Sequence, residues 1–273
     1  MEDVRNAPAP PASPQVDGSR LSRIDWQPKL RWFAAEIVIV VAGVLIALTI
    51  NAWWAARQQA RDERRLLSAL RIEFHANQER LDRLIAFHEA LKATSTRLLI
   101  YSADPPASLS PDSVDQLLAD ESWWSSYTAL ETTVLEGAVQ DGQLRIIQSD
   151  SVRRILTTWR SEAGSAEAQS QQERAHYQDV WLPLLRSNAE LGQISNRATV
   201  VPGTNTPYQG AQLPLPTLRT DHRPLISSRP LRNALVHKVW IEDDVLYQYR
   251  QLRRLLSRVI LVLDEELKEP KRE

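Results

Sequence analysis

Residues 37–56 read IVIVVAGVLIALTINAWWAA, twenty consecutive positions without a charge or a proline. At about 1.5 Å of rise per residue, a helix of this length spans roughly 30 Å, the thickness of a bilayer's hydrocarbon core. Ten of the first fourteen residues are Ile, Val or Leu. At about −0.3 to −0.6 kcal/mol each, they favour membrane insertion by roughly 3–6 kcal/mol. Trp32 and Phe33 stand before the run and Trp53 and Trp54 close it, where amphipathic rings suit the headgroup layer. Charge returns at once, with Arg31 and Glu36 on one side and Arg57 and Arg61 on the other. The stretch is predicted to be a transmembrane helix. A cleaved signal peptide has a shorter core near the N-terminus and small residues before the cut, whereas here 36 residues precede the core. A buried helix of a soluble protein is usually interrupted by polar residues within about 10–14 positions.

Outward from this anchor, residues 1–28 are rich in Pro, Ala and Ser and have no apolar period. Such a composition buries too little to fold and predicts a disordered tail. Residues 29–56 then form the anchor, and residues 57–273 an extramembrane helical domain. On the C-terminal side, Leu67, Leu70, Phe74, Asn77, Leu81, Leu84, His88, Leu91, Ser95 and Leu98 keep an unbroken 3-4 spacing, a heptad seam of coiled-coil type. Asn77, His88 and Ser95 are its polar positions and its expected weak spots. His88 reads as a hydrogen-bonded packing residue rather than a ligand or pH switch, and Asn77 as a register-setting residue. Anchor and seam predict one helix from about Lys29 to Ser102.

Proline marks out the rest, because it breaks helix interiors. The proline-free runs 29–104, 112–182 and 231–269 are where long helices fit. Ser110, Pro111 and Asp112 form a helix start, followed by Leu117 and Leu118 and then by a helical run over Tyr127–Val139. Asp141-Gly142 is a turn signal. Ser149-Asp150 begins a long helix that Pro183 is expected to kink. Residues 192–228 hold Pro202, Gly203, Pro207, Gly210, Pro214 and Pro216 and are predicted to be an irregular segment, functional or disordered. Ser228 caps a last helix to about Lys268, along which Val245, Tyr249, Leu252, Leu256, Val259 and Leu263 give a second 3-4 seam. The fold class is therefore all-α, a single transmembrane helix continuing into an elongated bundle with two such seams that pack together.

Net charge is −1, which exerts no overall pull on nucleic acid. The absence of cysteine excludes disulfides, thiolate metal sites and cysteine nucleophiles. Residues 102–150 carry nine acids and one Arg, residues 57–101 nine bases and six acids, so the two faces are expected to oppose one another. Arg250, Arg254 and Arg258 read as a solvated face. There is no G-x-S-x-G, no phosphate-cradling glycine loop and no H-E-x-x-H. The five histidines are scattered, His75 and Glu79 read as an exposed pair, and neighbours such as Asp243-Asp244 diverge by about 100° around a helix. Four of the nine Trp lie at or near the membrane, and Trp123, Trp124, Trp159, Trp181 and Trp240 are expected in the core. No catalytic residue, cofactor or metal site is predicted. Gly43 and Ala47 form a small-xxx-small pair suited to close helix approach, hence to a homodimer, while Glu36 and Asn51 mark the two ends of the span.

One resemblance rests on specific residues. Glu36-Ile37, Gly43, Ala47-Leu48, Ile50-Asn51 and Trp53, followed by Glu63, Leu67, Leu70, Glu73 and Asn77, resemble the N-terminal signature of a family of uncharacterised bacterial single-pass membrane proteins, a domain of unknown function. Gly142-x-Leu144 and Ser149–Trp159 resemble a second, looser step of the same pattern. Ala35, where the family usually has Gly, and Trp54 depart from it. The resemblance implies a bacterial inner-membrane protein and supplies no catalytic residue.

The expected function is a membrane-anchored scaffold or accessory subunit, with the bilayer and an envelope protein as partners. The N-terminus is placed in the cytoplasm and the bundle in the periplasm. The alternatives are a ligand-sensing module coupled through the anchor, or an enzyme with a site near 192–228.

Overall fold

The computed structural model describes residues 26–123, 130–208, 213 and 219–268, with backbone alone for 26–31, 34 and 35. Every extended element among them is a helix, and a lone β-bridge joins Val200 to Pro207. The chain falls into two units divided after Arg57, and α1 (Trp26–Ala103) runs through the division. In the first unit, Glu36–Ala56 is exposed at every position. This part of α1 is long and apolar enough to cross a membrane, and none of its apolar window is buried.

The second unit is a helical bundle. Ser110 caps α2 (Pro111–Glu121) by accepting from the Ser113 amide at 3.1 Å. α3 spans Thr133–Gln140, shorter than the expected run from Tyr127. Residues 127–129 lie outside the described residues, and 130–132 are not helical. The cause lies on α1. Asn77 donates to the Glu131 carbonyl and accepts from its amide, both at 2.6 Å. Glu73 accepts from the amides of Val134 at 2.6 Å and Leu135 at 3.3 Å. The backbone of 131 is thus bound across the bundle, and the first amides of α3, which a helix cannot satisfy itself, end on a carboxylate.

Gly142 takes a left-handed φ of 68°, which glycine adopts without a Cβ clash, and leads into a 3₁₀ turn at Gln143–Ile146. α4 (Asp150–His176) starts on Ser149 and passes through a π-helical turn, Tyr177–Trp181, into α5 (Leu182–Asn188). The wide turn sits just before Pro183, which lacks an amide and crowds the preceding turn. α6 (Leu191–Ser195) and α7 (Arg223–Ile226) are short, and α8 runs from Arg229 to Lys268.

The two seams share one core. Leu67, Leu70, Phe74, Leu81 and Leu84 of α1 pack with Val245, Tyr249, Leu252, Leu256, Val259 and Leu263 of α8, and with Val152, Leu156 and Trp159 of α4. Phe74 meets Trp159 edge-on, with centroids 5.2 Å apart. Polar bridges run in opposite senses along the two long helices, so they lie antiparallel: Arg71 to Asp264, Asp82 to Arg253, Glu89 to Arg250, Lys92 to Asp243. Exposed pairs of this kind contribute about 0–1 kcal/mol each, against about 1.5–3 kcal/mol per buried Leu or Val. Burial holds the bundle. A second apolar cluster gathers Leu98 of α1, Val114 and Leu118 of α2, Trp181, Leu185 and, on α8, Leu231 and Leu235.

One expectation needs correction. Trp240 is not core but 65% exposed, because its neighbours Lys238, Ile241 and Glu242 take the inward positions of α8; Trp124 lies outside the described residues. Described residues of the Pro-rich segment, though outside regular structure over 196–208 and 219–222, are tied to the bundle. His222 is buried, with Nδ1 2.6 Å from Asp115 Oδ1, and its Nε2 accepts from the Glu190 amide. Nε2 being the acceptor, the proton sits on Nδ1 and is donated to Asp115. Gln193 ties Asp115 to the backbone of Thr220. A Cβ on Gly203 would fall 2.2 Å from the Ala86 carbonyl, so only glycine permits that approach to α1.

Candidate functional site

Between the two apolar clusters, α1, α4 and α8 each place polar side chains on the inward face. His88 and Ser95 stand seven apart on α1 and Lys238 and Glu242 four apart on α8, spacings that return to one helix face. Glu173 and His176 come from the end of α4, and Glu121 from the end of α2. All seven are buried, and His88, Ser95, Glu121 and Glu242 have no exposed surface. His88 Nδ1 lies 2.7 Å from Glu242 Oε2. Ser95 donates to Glu121 at 2.5 Å. The Lys238 ammonium reaches Glu121 Oε1 at 3.3 Å and donates to the carbonyls of Glu121 at 2.7 Å and Trp123 at 3.3 Å.

Burial sets the charge states. It lifts the Glu242 carboxyl to about 8, against the pull of Lys238 and a hydrogen bond with Glu173. It lowers His88 to about 4, Glu173 opposing, so the ring is a neutral imidazole. Burial also works against the Lys238 ammonium, but Glu121, Glu242 and Glu173 outweigh it and hold that pKa above its ordinary value. Glu121 is pushed up by burial. Several buried atoms have no hydrogen-bond partner among the described residues: His88 Nε2, Glu121 Oε2, His176 Nε2 and Glu242 Oε1. One donor atom each from His88, Glu173 and Glu242 lies within 4.8 Å of the other two. His176 Nδ1 is separately 3.1 Å from His237 Nδ1.

A pocket of about 660 Å³ lies beside this layer, within the range of about 300–1,000 Å³ for small-molecule sites. Trp123, Tyr177, Leu185, Ile194, Ala198 and Tyr208 form much of its wall, with Gly192 and Leu213 completing the side given by the Pro-rich segment. Trp123 and Tyr208 meet edge to face at 4.7 Å. Trp123 belongs to both features, since its carbonyl accepts from Lys238 and its ring packs in one cluster with Phe87 and Leu91 of α1. The polar side chains on the described wall are the hydroxyls of Ser122, Tyr177, Ser195 and Tyr208, and no acid–base pair lines it.

Compared with family models, curated proteins and solved structures, the chain matches none.

The residues singled out in the sequence lie elsewhere. Trp32, Phe33, Trp53 and Trp54 are exposed on α1, with the Arg57 guanidinium 5.3 Å above the Trp53 ring. Gly43 and Ala47 are exposed, and a Cβ on Gly43 would meet nothing within 4 Å. Of the buried layer, the sequence marks His88 and Ser95 on the α1 seam and none of their partners. A signal for them exists. The α8 seam, carried back from Val245 at the same spacing, runs through Glu242, Lys238, Leu235 and Leu231. Two charges in an apolar seam mark a buried polar site.

Proposed function

We propose that this chain is a single-pass bacterial inner-membrane protein whose bundle lies in the periplasm and binds a small, largely apolar ligand. The observation that carries the membrane part is α1, which exposes twenty uncharged residues, 37–56, and continues without a break as a core helix of the bundle. Among the described residues nothing shields those side chains from water, and a bilayer would. The protein is expected in the membrane pellet after alkaline and high-salt washing. Release by salt would refute the anchor.

The orientation rests on the resemblance and on the internal position of the anchor. Charge does not decide it, because Arg20, Arg23, Lys29 and Arg31 before the span face Arg57, Arg61, Arg64, Arg65 and Arg71 after it. C-terminal fusions to a reporter active only outside the cytoplasm, and to one active only inside, read the topology directly. Signal from the second alone reverses it.

The pocket favours a ligand-binding module over a passive scaffold or accessory subunit. Its aromatic and aliphatic wall with a few hydroxyls suits an apolar guest oriented by one or two hydrogen bonds. Trp123 joins that wall to α1, the helix that carries the anchor, which is a direct path for a sensor. N-phenyl-1-naphthylamine added to the full chain in detergent should brighten saturably, and Ala198→Phe should abolish the signal by filling the pocket. An equal response from the variant assigns the binding to detergent or surface, leaving the scaffold.

A further inference from the structure

We infer that His88, Glu173 and Glu242 hold one divalent transition-metal ion in the core of the bundle. Three independent helices deliver one imidazole and two carboxylates to a single point, with donor atoms within 4.8 Å of one another. Donors around a zinc-sized ion sit about 2.0–2.2 Å from the metal and so about 3–4 Å apart, a spacing small rotamer adjustments reach. Glu242 Oε1, on a residue with no exposed surface, has no hydrogen-bond partner among the described residues. Buried polar atoms are nearly always satisfied, and an exception of this kind points to a missing ion or water.

Charge makes the same case independently. The buried layer holds three carboxyl groups, Glu121, Glu173 and Glu242, against one ammonium, Lys238. Lys238 is committed to Glu121, which Ser95 also holds. Three ionised carboxylates in an apolar interior would require three positive charges, and Lys238 supplies one. A divalent ion supplies the other two. The imidazole selects the class of metal, because calcium and magnesium favour oxygen ligands alone whereas zinc and manganese take mixed nitrogen and oxygen sets.

The test is equilibrium dialysis of the full chain in detergent, stripped with chelator and then titrated with Zn²⁺ and with Mn²⁺. One equivalent bound per chain is expected, with weaker binding as pH falls, because protons compete for the ligands. Glu173→Gln and Glu242→Gln keep the shape and remove charge. Each should weaken binding by more than about tenfold, since losing even an outer-shell partner costs about 10–100-fold. His75→Gln, at an exposed histidine on the same helix, should change nothing. Binding that survives both Glu variants but is lost in His237→Gln would place the ion on the His176–His237 pair and overturn the assignment, as would no stoichiometric binding. Should the Glu variants not fold, X-ray absorption at the zinc edge of the wild-type chain decides. One imidazole with oxygen ligands upholds the site, and two imidazoles or oxygen alone overturns it.

Discussion

Helix α1 turns the usual arrangement of side chains inside out twice, in opposite senses. Over residues 37–56 it shows Ile, Val and Leu to the outside, and at His88 and Ser95 it hides polar groups in the interior. Neither half is explained by composition alone. Under the proposed anchoring, the first is tolerable because a bilayer would take the place of a core. The second is tolerable only because α2, α4 and α8 bring complementary groups to the same level. The exposed half therefore depends on its surroundings and the buried half on its neighbours, and variants separate these two dependences.

The largest effect is expected at Lys238. Replacing it with Met leaves Glu121 buried without its cation, and removing one partner of a buried pair costs about 3–5 kcal/mol. Replacing Lys238 with Met together with Glu121, Glu173 and Glu242 by Leu should cost less than the single change, because buried ionic groups exchanged as a set for apolar ones are often neutral or stabilising by about 1–4 kcal/mol. Urea unfolding of the bundle in chelator, followed by circular dichroism, compares the two. A Lys238→Met variant as stable as the parent would mean that the layer is hydrated, and would remove the contrast between the halves of α1.

Acid should open the same level next. His176 is lowered to about 4, first by burial and then by His237 and Lys238. With the folded value below the ordinary 6.5, the unfolded chain binds the extra proton between the two values. The contribution of His176 to stability is therefore full above about pH 6.5 and is lost as pH falls toward 4, by up to about 3 kcal/mol, while Glu242, lifted to about 8, works in the opposite sense. His176→Phe should flatten that part of the stability curve. An unchanged slope between pH 6.5 and 4 would place the acid sensitivity on other groups.

The fold was legible where the chemistry is local. The 3-4 seams, the serine caps at 110, 149 and 228 and the Asp141-Gly142 turn each arise within a few residues, and the elements begin where those residues place them. What escaped is what is settled at long range. The charged layer needs His88 beside Glu242, 154 residues away, and no spacing announces which helices will meet. The polar positions of the α1 seam looked like weaknesses because their partners could not be seen. Asn77, His88 and Ser95 are all fully buried, and each bonds a different partner: Glu131, Glu242 and Glu121. Trp240 misled for the opposite reason, since its size suggests burial while its place beside the seam turns it outward.

The smallest effect sharpens this last point, because it compares a polar residue that is inside with an apolar one that is outside on the same helix. Asn77→Ala leaves both backbone groups of Glu131 without their partner, in a part-buried place where each had a 2.6 Å bond. An unsatisfied buried group costs about 1–3 kcal/mol, and partial access of water to the 131 backbone puts the expected loss near the lower end, about 1–2 kcal/mol. Ile72→Ala, at a side chain 70% exposed on the bundle portion of α1, should stay within about 0.5 kcal/mol. The loss at Asn77 should also be local. Glu73 still caps Val134 and Leu135, so α3 should persist while the chain just before it loosens, read as faster amide exchange at residues 130–132 with exchange in α8 unchanged. If Ile72→Ala proves the more damaging of the two, polarity rather than position governs α1 after residue 57, and the seam reading of the bundle fails at its first polar step.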